Sequence, residues 1–434
     1  MEHPKLTVDR SFVRGLSAFN RDRLRWLDEA AALGPLVRLQ FGQVNSWVVT
    51  DVDVARRVLI TDAAFFVRPL NFRRPTSMAI GANLFTESQE QWEAIGPFLS
   101  PQLHGASITR RLETARALIE DDVSHWPLGV PIDLDEATSR LVLRAACVLL
   151  FDYELDYDRA NEMVHHQRAL MAWLGDRIGR PISVIPFAPG RAGRGMREHR
   201  DAFYSGIGEI IRHGRLATGQ DTVMSTLLSI RQRGSVLSEQ ALCGHVAGLL
   251  GAGNDVTGAS LSWALVHGAQ NPGEFLGLGT SNGDVRSYVL ESIRLSSCAW
   301  SLTRVPTRKV TLTPDGRSTE VGRRSPVIIY LRGMNRNPSV WADPERFNLA
   351  RHSADEKSLR REFIPFGLGG RGCPGQQVAL AELGAALPAI AQRGRMRIES
   401  DVMEDPLFAI RVRGGLRGRI EPINESPARH ESIG

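Results

Sequence analysis

Phe366-Gly367-Leu368-Gly369-Gly370-Arg371-Gly372-Cys373-Pro374-Gly375 sets four glycines before one cysteine and a proline straight after it. Glycines admit left-handed or tightly turned backbone and let a flat ligand come close. Proline suits the first turn of a helix, and Gln376–Ile390 reads as that helix. The Cys373 sulfur would then lie near a helix N-terminus, where unpaired N–H groups and the dipole favour a thiolate. An anionic sulfur in a glycine loop beside Arg371 is what a haem iron with a cysteine ligand needs.

A rival pattern runs through the same residues. Gly367, Gly369 and Gly372 spell G-x-G-x-x-G, Phe363–Phe366 could be a strand before it, and Met396–Glu399 a second strand ending in an acid. That is the order of a dinucleotide-binding fingerprint. Only about 35 residues follow Glu399, too few for the further strands such a fold requires. The pattern also leaves Cys373 without a role.

The stretch resembles the haem-ligand signature of the cytochrome P-450 family: Phe, two residues, Gly, any, Arg or His, any, Cys, any, Gly. Phe366, Gly369, Arg371, Cys373 and Gly375 fill every fixed position. The resemblance implies haem b (iron protoporphyrin IX), with Cys373 as iron ligand and Phe366, Gly367, Arg371 and Gly375 around it. It also implies a mainly α fold with a minor β part, a single domain over 1–434.

Bulk properties agree. The chain is 42% hydrophobic and 23% charged, with four scattered cysteines (Cys147, Cys243, Cys298, Cys373) in no metal-site pairing. A reducing compartment fits, and neither a membrane span nor a signal-peptide pattern is present. By resemblance this points to a soluble, cytoplasmic, bacterial-type enzyme. A net charge of +5 is modest for 434 residues, and no aromatic-basic motif supports nucleic-acid binding.

Along the chain, Leu36–Leu39 and Ser46–Thr50 read as a strand pair within a small β region at about 36–50, followed by a helix Val52–Leu59. Arg68–Ala82, with Pro69 and Pro75, reads as a loop. Trp92, on a helix ending near Ser100, matches a family position whose indole reaches a haem propionate; Gly96 stands where the family has an arginine. Arg140, Arg144, Asp133 and Asp135 read as solvated surface. Adjacent His165 and His166 cannot share one helix face, which argues against a metal there. Ile178–Gly195 reads as a basic loop; by resemblance it is a lid, whose charge suits an acidic substrate or carrier protein, although a solvated face explains it too.

Ser238–Gln270 reads as one long central helix with Ser238 as N-cap. Its middle, Gly248–Gly258, is rich in glycines that each cost roughly 1 kcal/mol against alanine in a helix. Small residues there let something large lie against the backbone, and helix packing is the plainer alternative. By resemblance this is the oxygen-activation motif, matched at Ala252, Gly253, Asp255 and Thr257, with Val256 where the catalytic threonine belongs. Valine cannot hydrogen-bond, so Thr257, a water on Asp255 or a substrate hydroxyl would complete proton delivery, unless the reaction dispenses with full coupling.

Glu291 and Arg294 match the family's Glu-x-x-Arg, and Arg346 would close a buried triad with them. Arg304 matches a propionate-pairing arginine. Ser296–Leu302, with Cys298 and Trp300, should lie beside substrate. Arg351, Lys357, Arg360 and Arg361 could dock an acidic ferredoxin. With no flavin or iron–sulfur module, electrons would come from a ferredoxin and its reductase. The resemblance implies a monooxygenase oxidising a small molecule in secondary metabolism; the alternatives are oxidative coupling or ring closure, and a haem protein that only binds ligand.

Overall fold

The computed structural model describes residues 4–87, 89–178, 191–217, 221–232, 235–352 and 361–423. Helices dominate and the strands gather into small sheets. Leu36–Phe41 and Val44–Val49 form a hairpin that turns at Gly42, whose φ of +57° favours glycine. Lys5–Asp9 joins one side in parallel and Val327–Ile329 the other. Antiparallel pairing carries the sheet on to Leu302–Pro306 and then Phe66–Val67. Val67 stands opposite Val305, so the register brings Arg68 to the neighbourhood of Arg304.

The central helix runs Glu239–Gln270, with the Ser238 hydroxyl accepting the Ala241 N–H at 3.2 Å. It crosses the helix Leu134–Phe151, where Gly258 backs onto Ser139 and the Thr138 and Ser262 hydroxyls lie 2.8 Å apart. A Cβ at Gly244 would stand 2.2 Å from the Ala82 carbonyl oxygen, and one at Gly248 would stand 2.8 Å from the Asn83 side chain. Close packing therefore accounts for these glycines. Gly253 is different: a Cβ there meets nothing within 4 Å.

Several expectations change. Arg68–Ala82 is no loop but carries the helix Leu70–Ile80, with Pro69 extended at its N-cap and Pro75 inside. The Thr76 hydroxyl donates to the Phe72 carbonyl at 2.7 Å, and burial of Pro75, Thr76, Ala79 and Ile80 outweighs the cost of an internal proline. The stretch read as a loop to Gly195 already contains the start of the helix Arg191–Leu216, while 179–190 lie outside the described residues. Arg140 and Arg144 are not solvated, because both grip the fully buried Asp122, at 3.1 and 2.7 Å. Asp135 is buried as well, and of that group Asp133 alone is exposed. The dinucleotide pattern falls because Arg395–Ile398 pairs antiparallel with Arg417–Glu421, where that fold needs a parallel strand.

Glu291 and Arg294 form a fully buried pair with contacts of 2.8 and 2.9 Å. Arg346 is not its third member. Its side chain is exposed, and only its carbonyl reaches Arg294, at 3.3 Å. The remaining partners of Glu291 are His352 at 2.9 Å, the Asn348 N–H at 2.9 Å and Arg351 at 3.4 Å. Arg351 is thereby spent inside the fold; Lys357 and Arg360 lie outside the described residues. Burial would raise the Glu291 carboxyl, yet the bonds from Arg294 and His352 hold it down to about 2. Its contribution to stability is therefore complete above about pH 4.5 and lost as the pH falls toward 2. Glu291→Gln should cost about 3–5 kcal/mol in denaturant melts, because Arg294 would be left buried and uncompensated. Arg346→Ala should stay within about 0.5 kcal/mol of wild type. Equal losses would restore Arg346 to the network.

Candidate functional site

The glycine loop folds on itself before its cysteine. The Gly367 N–H bonds to the Ile364 carbonyl at 3.0 Å, Gly372 to Gly369 at 2.9 Å and Cys373 to Phe366 at 2.7 Å. Gly367 and Gly369 take φ of +70° and +71°, and a Cβ on Gly369 would stand 2.5 Å from the Leu59 carbonyl oxygen. Only glycine fits that place. The helix Gln376–Arg393 starts beyond Gly375, three residues after the cysteine. Cys373 is exposed although protein crowds around it. Burial pushes the thiol above its ordinary value, and the Gly375 N–H pulls it back only in part. The helix terminus alone therefore does not make the thiolate. A coordinated metal would deprotonate the sulfur outright.

Four arginines lie close enough to one another to repel, one of them, Arg371, in this loop. Arg304 is buried, and Arg68, Arg73 and Arg371 are half-buried. Arg68 donates to the Phe85 carbonyl at 2.6 Å, Arg73 to Thr86 at 2.6 Å and Arg304 to Thr303 at 3.0 Å. Among the described residues no carboxylate forms an ion pair with Arg68 or Arg304. Burial, then repulsion from Arg304, Arg371 and Arg73, lowers Arg68 to about 9. Burial and Arg371 lower Arg304 to about 10. Such a cluster calls for an anion, and two carboxylates on a flat macrocycle fit it. Trp92 lies alongside, its ring centroid 4.5 Å from the Arg371 guanidinium. The indole also explains Gly96: a Cβ there would be 2.7 Å from the ring, which leaves no room for an arginine. Arg68 and Arg73 supply positive charge instead. Sequence reading missed both, because the segment after Val67 looked like a loop.

The central helix shows one open face. Ala252, Gly253 and Val256 are half-buried, whereas Gly251, Asn254, Asp255, Thr257 and Gly258 are buried. That i, i+1, i+4 set lies on one side of the helix, and it includes the one motif glycine with free space. Thr257 is 5% exposed and, four residues on from Gly253, lies at the flank of this face. Cys298 and Trp300 are tied to a C-terminal hairpin: the Cys298 carbonyl accepts from Ile410 at 3.0 Å and the Trp300 indole donates to Leu407 at 3.3 Å. The Cys298 thiol is buried and pushed up to about 11.

Asp255 is engaged differently from expectation. Arg411 donates to its carboxylate at 2.8 and 3.1 Å and to its carbonyl at 3.1 Å. Arg411 also pairs with Asp135 at 2.8 Å, and Asp135 is bonded by Arg168 and, at 3.2 Å, by Ser262. This chain of charges borders a cleft of about 440 Å³ lined also by Val164, His165, Met171 and Phe408. No motif marks Arg411, but one cation inside the apolar run Phe408–Val412 was a legible sign of a buried partner.

The arginine cluster generates opposite effects in loaded and empty protein. In Arg68→Met, haem should dissociate roughly ten- to hundred-fold faster, the loss of a hydrogen bond to a charged group worth about 1.5–3 kcal/mol. Haem-free Arg68→Met should melt above haem-free wild type, because a repelling charge is gone. Capture by a haem scavenger and thermal melts read the two effects. A lower melting point in the empty protein would mean that Arg68 serves the fold instead.

The chain matches the family model described as Cytochrome P450 over residues 21–274 and 285–411. It is 25% identical over 405 residues to cyclooctat-9-en-7-ol 5-monooxygenase of Streptomyces melanosporofaciens, covering 87% of this chain and 86% of that protein. Leukotriene-B4 omega-hydroxylase 3 of Mus musculus is 23% identical, over 86% of this chain and 79% of its own. Among solved structures, CYP175A1 from Thermus thermophilus superposes with a TM-score of 0.80 at 20% identity, covering 96% of this chain and all of that one (100%). The family model covers most of the chain and decides the assignment: the chain belongs to the cytochrome P450 family of monooxygenases, which implies a heme-iron cofactor.

Proposed function

We propose that the chain is a single-domain enzyme that uses haem b to insert one oxygen atom from O₂ into a small, largely apolar molecule, as a hydroxyl or an epoxide. Electrons come from a ferredoxin and its reductase, in the cytoplasm, within a bacterial secondary-metabolite route. The observation that carries the reading is the arginine cluster beside an accessible cysteine in a crowded glycine loop. The Streptomyces relatives, cyclooctat-9-en-7-ol 5-monooxygenase and cyclooctatin synthase, support the metabolic setting. Haem, when bound through Cys373, supplies the oxidising chemistry. The chain's own residues then have three tasks. Arg68, Arg304, Arg371 and Trp92 orient the cofactor. Ala252, Gly253 and Val256 would leave room for substrate on the open face of the central helix. Asp255, held by Arg411, borders the cleft from which a proton can enter.

Val256 favours a second reading, in which substrate radicals join or close a ring and no oxygen is inserted. Its side chain lies on the open face and cannot donate a proton, while Thr257 at the flank of that face is buried. Product mass separates the readings: a gain of one oxygen supports the first, a loss of two hydrogens the second. Val256→Thr should raise the fraction of electrons recovered in product, read as NAD(P)H consumed per product formed. Unchanged or lower coupling would indicate that the substrate itself completes proton delivery.

A further inference from the structure

His165 and His166 are neighbours on the helix Tyr157–Ile178 and by themselves do not share a face. A third histidine changes their meaning. The helix Arg191–Leu216 packs against this one in antiparallel fashion: Arg159 meets Glu209, Met163 meets Gly206 and His166 meets His199. As one number rises the other falls. The His166 and His199 Nδ1 atoms lie 2.9 Å apart, and the three imidazoles offer ligand atoms all within 4.8 Å of one another. Ring centroids are 5.2 to 5.7 Å apart. Nitrogens bound to one tetrahedral zinc at about 2.0–2.1 Å stand roughly 3.3 Å from each other. No pair is therefore more than about 1.5 Å beyond that spacing.

We propose that His165, His166 and His199 form a binding site for a divalent transition ion of the zinc class. Three imidazoles and a water complete four-coordination, and borderline ions are preferred over magnesium or calcium, which choose oxygen. His165 is exposed and the other two are half-buried, so the ion has an entry path. The site joins the two helices at a second level, two helical turns along from the ion pair of Arg159 and Glu209. His165 also lines the cleft that reaches Asp255 and Arg411. A bound ion would therefore stiffen one wall of that cleft.

The test uses the haem-loaded, full-length protein. Isothermal titration with Zn²⁺ should find one site per chain, unaffected by millimolar Mg²⁺, and zinc-edge X-ray absorption should count three imidazole nitrogens. His199→Ala and His166→Ala should each weaken it at least about tenfold, since losing a direct ligand costs no less than losing its hydrogen-bonded support. Zn²⁺ should raise the melting temperature of wild type and not of His199→Ala. Should alanine disturb the helix pair, His199→Gln keeps a polar partner for His166 and should still lose the site. Equal Zn²⁺ affinity in wild type and variants, or no binding at all, would overturn the proposal and leave three imidazoles in edge and tilted contact.

Discussion

Like charges do not collect in a protein interior without something to hold them there. Arg68, Arg73, Arg304 and Arg371 gather near one another, and burial and mutual repulsion push Arg68 down to about 9. The arrangement costs stability unless an anion answers the charges. Much of the surrounding structure serves this placement. The mixed sheet sets Val67 against Val305 and so brings two arginines together. The glycine loop adds a third next to the cysteine, and Gly96 yields its space to the indole on which that third one stacks.

The central helix contributes the opposite kind of constraint, an absence of side chains. Some of its glycines exist to admit the Ala82–Asn83 segment and the helix Leu134–Phe151, which is ordinary packing. Gly253 borders open space instead, beside Ala252 and Val256. Asp255 points the other way, into a buried run of alternating charge through Arg411, Asp135 and Arg168. Charge burial on this scale survives only because each carboxylate is answered by a guanidinium and hydrogen bonds. The helix thus separates a bare face from a charged one within a single turn.

The loop of Phe366–Gly375 was legible because its chemistry is local: glycines, a cysteine and a helix start must be adjacent in sequence. The long helix was legible from its cap and its terminating Asn271-Pro272 for the same reason. What escaped was long-range. Arg346 lay at the motif position, yet the Glu291 carboxylate is satisfied by Arg351, His352 and the Asn348 N–H, a choice set by how 343–352 folds back. Arg140 and Arg144 looked like surface because nothing nearby in sequence reveals that Asp122 is buried beneath them. Leu70–Ile80 escaped because tertiary burial outweighs an internal proline. Gly96 could be seen as a departure but not explained, since its reason is the position of a ring four residues away.

All of this rests on Cys373 being the ligand of a haem iron. An absorption spectrum of the reduced, haem-loaded protein under carbon monoxide tests that directly. The account predicts a Soret band at the far-red position characteristic of a thiolate donor, lost in Cys373→Ser or Cys373→His. A band at the position of a neutral nitrogen or thiol donor in freshly prepared wild type, or a red band that survives in Cys373→Ser, would contradict it.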